Sequence, residues 1–182
     1  MGLWIATAAL VVLALYTIWL FRRLVTYRRQ VGVAWSDISA QIKRRHHLVP
    51  GLIEAVQGSE AARPTALDGV VHARDAALSS TGSQAEKARA EARLGDALVI
   101  ALTLSEDLAD LRTTERFNAV RHELDDTARR IRLARRYYNL CVRRLNAAIE
   151  SFPTNLLARL LHVRQEAVFS FDIDGAAARS AH

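Results

Sequence analysis

"FNAVRHELDDTARRIRLARRYYNLCVRRLNAAIESF", residues 117–152, is the stretch that decides the fold of this chain. Apolar and small residues recur in it at spacings of three and four, the heptad pattern of a helix that packs along other helices. We call these positions the heptad seam: Phe117, Val120, Leu124, Thr127, Ile131, Ala134, Tyr138, Cys141, Leu145, Ala148 and Phe152. The pattern predicts one helix roughly 50 Å long, with Thr113 or Thr114 capping its first amides. A helix of that length needs long partners, so an antiparallel bundle is expected.

The composition of the whole chain also favours helices. Its 182 residues include three prolines and eight glycines, and Ala, Leu and Arg, which have high helix propensity, are frequent. The single cysteine, Cys141, excludes an intramolecular disulfide and a thiolate zinc cluster. The formal net charge is +6, but the arginines alternate with Asp and Glu and form no basic block. We therefore predict an all-α protein and expect no nucleic acid as a partner.

The N-terminal segment "LWIATAALVVLALYTIWLF", Leu3–Phe21, contains no charged residue. As a helix it would be about 28 Å long, close to the thickness of a bilayer's hydrocarbon core. A cleaved signal peptide is disfavoured because no basic residue precedes the apolar run and the run is long. A buried helix of a soluble protein is disfavoured because such cores rarely need so long an uncharged run. We predict a transmembrane anchor with its juxtamembrane segment in residues 1–29.

Aromatic and basic residues flank this apolar segment. The predicted membrane-interface residues are Trp4, Trp19, Arg22, Arg23, Arg28 and Arg29. Tryptophans concentrate at the two membrane–water interfaces, and arginines next to the membrane contact anionic headgroups. The positive-inside rule then predicts a single-pass protein of the cell membrane, with its N-terminus outside and its C-terminal domain in the cytoplasm.

A second apolar stripe predicts that a bundle helix follows the anchor. Its members are Val31, Trp35, Ile38, Ile42, Val49, Leu52 and Val56, and the spacing is interrupted only at Arg45. Because the stripe resumes on both sides of Pro50, a kinked helix is favoured there over a turn. Lys43, Arg44, His46 and His47 are expected on the flanks of this helix.

Turn signals divide the rest of the chain. Gly58 and Pro64 are predicted to end one helix and open the next, and "SSTGS", residues 79–83, is a predicted loop. A third helix is expected over about residues 84–108, and a short amphipathic helix after "SFPTN" would carry Leu156, Leu157, Leu160 and Leu161 beneath the bundle or against the membrane. The bundle is thus predicted over residues 30–171, followed by a mobile tail over residues 172–182.

Three motifs resemble those of the LemA family of bacterial membrane proteins: "AWSDISAQIKRRHHLVPGLIEAV", "DLRTTERFNAVRHELDDTARRIRLARRYYN" and "FPTNLLA". The resemblance covers most of the chain after Gln30. It implies a single-pass protein with an antiparallel bundle of long helices and without an established enzymatic activity. It also implies an accessory or scaffolding role, since relatives are often encoded beside membrane proteases, and one branch takes part in forming magnetosome membranes.

Residue patterns that could carry chemistry are weak. His46 and His47 are adjacent, so they point to different parts of a helix surface, and solvated or interhelical histidines are favoured over metal ligands. "HELDD", residues 122–126, lacks the second histidine of a zinc protease motif, and no phosphate-binding loop or nucleophile elbow is present. We therefore expect no catalytic, cofactor-binding or metal-binding residue, no cofactor, and a protein that is not an enzyme.

The remaining candidates are surfaces. The arginines of "ARRIRLARRYY" with Arg143 and Arg144 are more readily explained by interhelical ion pairs and a solvated face than by a phosphate groove. Trp35 is either a core residue or part of a docking face, with packing favoured. The candidate docking residues are Asp37, Lys43, Arg44 and Arg45.

Two functions fit these observations. The first is an interaction or scaffolding module for another membrane protein, a membrane protease among the candidates. The alternative is a membrane-organising protein that self-associates as a homo-oligomer on anionic lipid of the bilayer.

Overall fold

The computed structural model describes residues 1–57, 64–82, 84–106 and 108–168, and helices dominate this part of the chain. The helices are α1 Gly2–Gln57, α2 Pro64–Ser79, α3 Gln84–Glu106, α4 Ala109–Arg112, α5 Glu115–Glu150 and α6 Thr154–Leu160. No strand is present within the described ranges, so the prediction of an all-α protein is confirmed. The predicted cap at Gly58, residue 83 of the predicted loop and the predicted tail over residues 172–182 lie outside the described residues.

Helix α1 continues through Pro50. A proline inside a helix removes one backbone hydrogen bond and costs about 3 kcal/mol, so packing must offset it. Val49 and Leu52 on either side of Pro50 are fully buried, whereas Pro50 itself is exposed. The prediction of a helix rather than a turn at this position is therefore confirmed, and the predicted kink stays a prediction.

The chain forms two compact units, and α1 and α5 each contribute to both. Unit 1 consists of Met1–Asp37 and Arg135–Val168, and the described part of unit 2 is Ile38–Ala134. These units follow from packing, and the division into an anchor, a bundle and a tail stays a prediction.

In unit 2, helices α1 and α5 run antiparallel. Arg44 pairs with Glu123, and Glu54, ten residues further along α1, pairs with Arg116, seven residues earlier on α5. Between these pairs, a Cβ on Gly51 would lie 3.6 Å from Cγ2 of Val120. The core of this unit adds residues from α2 and α3, and includes Val49, Leu52, Val70, Leu94, Leu98, Leu111, Phe117 and Leu124.

The heptad seam holds along most of α5. Its buried members are Phe117, Leu124, Thr127, Ile131, Tyr138, Cys141 and Leu145. Phe152 is 80% exposed, so its prediction as a core residue is wrong. The reason is that α5 ends at Glu150 and the chain turns, which interrupts the helical period before Phe152 is reached.

The start of α5 also differs in detail from the prediction. The hydroxyls of Thr113 and Thr114 both donate to the backbone carbonyl of Asp110, at 3.0 and 2.9 Å. They thus stabilise the end of α4, whose carbonyls would otherwise lack donors.

Unit 1 contains the apolar N-terminal part of α1. Within the described residues, α1 is the one helix long and apolar enough to cross a membrane, and only 6% of its most apolar window is buried. An apolar surface of this size that the described part of the chain leaves uncovered is consistent with the predicted membrane anchor. Buried residues begin at Leu20 and continue with Leu24, Val31 and Ala34, where the rest of unit 1 packs on α1.

Candidate functional site

All six predicted membrane-interface residues are exposed, as an interface with lipid requires. Trp19 stacks on Tyr16, with ring centroids 6.0 Å apart. The guanidinium of Arg23 lies 5.3 Å from the Trp19 ring centroid and 5.5 Å from that of Tyr27, and its Nε donates to the Tyr27 hydroxyl at 3.0 Å. Arg23 is thereby held against aromatic rings at the end of the apolar segment, where cation–π contacts keep the charge close to the boundary.

The four candidate docking residues do not share one environment. Asp37, Lys43 and Arg44 are exposed, and Arg44 pairs with Glu123 at 3.4 Å. The side chain of Arg45 is only 6% exposed. The structure therefore places Arg45 in the interior of unit 2, apart from the other three residues.

Arg45 belongs to a buried polar cluster that joins α1 to α3, which we call the Glu91 cluster and which consists of Arg45, His46 and Glu91. Arg45 Nη2 donates to the backbone carbonyl of Glu91 at 2.9 Å and pairs with its Oε2. His46 Nε2 lies 2.8 Å from Glu91 Oε1, so each carboxylate oxygen has its own partner. His46, expected on the flank of the helix as a solvated or interhelical histidine, is buried and interhelical; His47 is exposed.

A glycine on α3 makes room for this cluster. Gly95 lies one turn after Glu91, and a Cβ at that position would come within 3.3 Å of Arg45 Nη1. Such a distance is tighter than ordinary van der Waals contact. The absence of a side chain at position 95 therefore leaves room for the guanidinium between the helices.

The environment of Glu91 favours its ionised form. Burial alone would raise the pKa of Glu91, but the hydrogen bond with His46 and the charge of Arg45 together outweigh burial and lower this pKa below 4.5. Glu91 is thus a carboxylate that compensates a buried guanidinium. This arrangement is a structural ion pair, in which removing either partner leaves an uncompensated charge.

The lowered pKa of Glu91 predicts how stability depends on acid pH. Ionised Glu91 contributes fully above its ordinary pKa of 4.5, and the contribution is lost as the pH falls through the lower pKa of the folded state. The difference in free energy of unfolding between wild type and Glu91→Gln should therefore be constant above that value and shrink below it. Urea unfolding at a series of pH values measures this difference. A difference that persists unchanged in strong acid would contradict the assignment.

In unit 1, Trp35 packs against Tyr138, with ring centroids 5.8 Å apart and the ring planes tilted by 57°. Tyr138 is buried, and its hydroxyl donates to the carbonyl of Ala167 at 3.5 Å. Burial, with a smaller effect of the Glu166 charge, raises the pKa of Tyr138. Trp35 is half-buried, and this geometry is that of a packing residue.

The sequence did not indicate how the segment after α6 is held. The side-chain amide of Asn146 donates to the backbone carbonyl of Glu166 at 2.9 Å and accepts from the Glu166 amide at 3.1 Å. Gln165 donates to Glu150 at 2.8 Å. These bonds hold residues 165–166 against α5. Periodicity in the sequence does not predict them, because residue 146 lies on α5 whereas residue 166 lies after α6.

Cys141 is buried on the heptad seam, where a small apolar residue was expected. Across the described ranges, no group of three or more His, Cys, Asp or Glu side chains is arranged to hold a metal ion. The Glu91 cluster is thus the most organised polar arrangement described, and its role is to join helices.

The LemA family profile matches residues 34–181, which is most of the chain. No individually curated protein matches the sequence. The chain therefore belongs to the LemA family.

Proposed function

We propose that this protein is a membrane-anchored interaction module without enzymatic activity, whose helices dock another membrane protein. The observation that carries the proposal is an exposed apolar strip on α3, which we call the α3 strip and which consists of Val99, Ile100 and Leu104. Val99 is 63% and Ile100 59% exposed. The opposite face of the same helix buries Leu94, Leu98 and Ala101 in the core of unit 2. The α3 strip is therefore not needed to hold α3 in this unit.

The α3 strip has the properties of a recognition surface. Ile100 and Leu104 are one helical turn apart, and Val99 lies next to them on the exposed half of the helix. Clustered exposed apolar side chains of this kind mark sites of protein contact when no described residue covers them. In the same unit, exposed Lys43 and Arg44 on α1 supply charges for recognition of a partner.

The N-terminal part of α1 supports a membrane protein as the partner. The helix runs without a break from the apolar segment to Gln57. A protein tethered in this way meets other membrane proteins at high effective concentration. Within this proposal the N-terminus lies outside the cell membrane and the helical units lie in the cytoplasm, as the exposed arginines at positions 22, 23, 28 and 29 favour. A membrane protease is one candidate partner.

The first test is a pull-down of the tagged full-length protein from its own membranes in mild detergent, with recovered proteins identified by mass spectrometry. We expect a membrane protein in stoichiometric amount. The double substitution Val99→Asp with Ile100→Asp should abolish its recovery, because two carboxylates would have to be buried in the contact. Leu133→Asp is the matched control, since Leu133 is also exposed and lies on α5.

Two results would contradict the proposal. If the α3 double variant and the control retain the same partner equally, the α3 strip is not the docking site. If the protein is recovered alone as a homo-oligomer with anionic lipid, the alternative function applies, namely a self-associating membrane-organising protein. The exposed juxtamembrane arginines are the observation that favours this second function.

A further inference from the structure

The end of unit 1 exposes a second apolar surface. We call it the α6 surface, and it consists of Phe152, Leu156, Leu160 and Leu161. Phe152 is 80%, Leu160 77% and Leu156 58% exposed. Leu156 and Leu160 are one helical turn apart and therefore share a face of α6. Four large apolar side chains so close in sequence and so exposed form a patch of the kind that contacts another apolar phase.

The opposite side of α6 is fixed to the protein. Ala158 is buried, and its carbonyl accepts a hydrogen bond from the amide of Val163 at 2.9 Å. At the other end, the amide of Asn155 donates to the carbonyl of Ser151 at 2.8 Å. Because Ala158 faces inward, Leu156 and Leu160 on the other side of the helix are held outward.

The burial pattern of α1 places this surface beside the end of the apolar segment. Leu20 and Leu24 are buried, although Trp19, Phe21 and Val25 next to them are exposed. The part of α5 that belongs to unit 1 begins at Arg135 and contacts Trp35 through Tyr138. The residues of α5 after Tyr138 can therefore cover the α1 residues before Trp35 only if the two helices run antiparallel. The contact of Trp35 with Tyr138 sets the register.

The rise per residue of a helix then gives the position of α6 along the axis of α1. Glu150, at the end of α5, lies about 18 Å beyond Tyr138, and Leu24 lies about 17 Å before Trp35. The end of α5 and the following α6 are therefore level with residues 20–24 of α1. This is where the uncharged run of α1 gives way to Arg22 and Arg23.

We propose that the α6 surface is a membrane contact, in which Phe152, Leu156 and Leu160 enter the boundary between headgroups and acyl chains on the side of Arg22. The proposal rests on membrane spanning by the N-terminal part of α1, which is one element of the proposed function. The occupant is lipid because the surface lies level with the end of the apolar segment. Exposed Arg159 on α6 and the arginines at positions 22 and 23 complement anionic headgroups at that level.

The test is the depth of a nitroxide label in the full-length protein, reconstituted in vesicles of phosphatidylcholine with phosphatidylglycerol. Cys141→Ala provides the background without cysteine, and its helical circular dichroism must match that of the wild type. Leu160→Cys carries the probe, Leu140→Cys is the control on an exposed part of α5 in the same unit, and Ala9→Cys reports the centre of the apolar segment. Collisions with oxygen measure contact with acyl chains, and collisions with a water-soluble nickel complex measure contact with water.

We expect the label at position 160 to lose collisions with the nickel complex and to gain collisions with oxygen relative to the label at position 140. Equal access of the nickel complex to both positions would overturn the proposal. Spin–spin broadening at position 160 would also overturn it, because it would mean that a second copy covers the surface. A label at position 9 that is open to the nickel complex would refute the membrane anchor itself, which separates that failure from a failure of the α6 surface alone.

Discussion

Replacing Glu91 by glutamine is expected to lower the free energy of unfolding by about 3–5 kcal/mol, because the buried Arg45 guanidinium would lose its counter-charge. Both Arg45 and His46 are buried and directed at the Glu91 carboxylate. Glutamine has nearly the same shape, so the loss reports charge and hydrogen bonding. Urea unfolding of the full-length protein in mild detergent, followed by helical circular dichroism, gives the free energy.

A matched control comes from an exposed ion pair. Glu123 is 53% exposed and pairs with Arg44, so Glu123→Gln should change the free energy of unfolding by less than about 1 kcal/mol. The joint replacement of Arg45 and Glu91 by methionine should recover much of the loss caused by Glu91→Gln, because no charge then remains buried without a partner. Equal effects of Glu91→Gln and Glu123→Gln would contradict the role assigned to the Glu91 cluster.

Phe117→Ala is expected to lower the free energy of unfolding by about 3–5 kcal/mol, since the substitution leaves a cavity in a packed core. Phe117 is almost completely buried among residues of α1, α2 and α3 in unit 2. Leu133→Ala is the control, because it shortens a large apolar side chain at an exposed position of α5 and should stay within about 0.5 kcal/mol of wild type. The same unfolding measurement serves both variants. Equal losses from Phe117→Ala and Leu133→Ala would contradict the core role assigned to Phe117.

Phe117 and Phe152 also show what periodicity in the sequence can and cannot predict. Periodicity identifies positions on one face of a helix, and it predicted the burial of Phe117 and Leu145 correctly. Periodicity does not show where a helix ends, so Phe152 was assigned to the core although α5 ends at Glu150. Pro50 is the converse case, because continuation of the apolar pattern on both sides predicted a kinked helix over a turn, and the chain is helical through the proline.

The Glu91 cluster lay within reach of the sequence but was not recognised. Arg45 occupies the single interruption of the apolar stripe of α1, and Glu91 precedes the buried Leu94 by three residues on α3. A cation and an anion on two facing apolar stripes are candidates for a buried pair. What the sequence could not provide is the alignment of α1 with α3, since pairing between distant helices depends on packing that no local pattern encodes.

The α3 strip and the α6 surface were missed or left open for a related reason. Val99 and Ile100 follow Leu98 directly; periodicity assigns Leu98 to the core, but it does not tell whether another part of the chain covers its two neighbours. The leucines of α6 were expected either beneath the bundle or against the membrane, and which of them face outward depends on Ala158 being the buried residue. Small residues such as Ala158 contribute little to hydropathy even when they define the packed face.

The course of α1 within unit 1 sets a limit on reach. Residues 22–37 of this helix rise about 24 Å along its axis. A helix holds each of its residues at a fixed distance from the end of the apolar segment, whereas a flexible tether would let that distance vary. A partner that engages unit 1 near Asp37 would therefore have to present its binding site at that distance from the apolar segment.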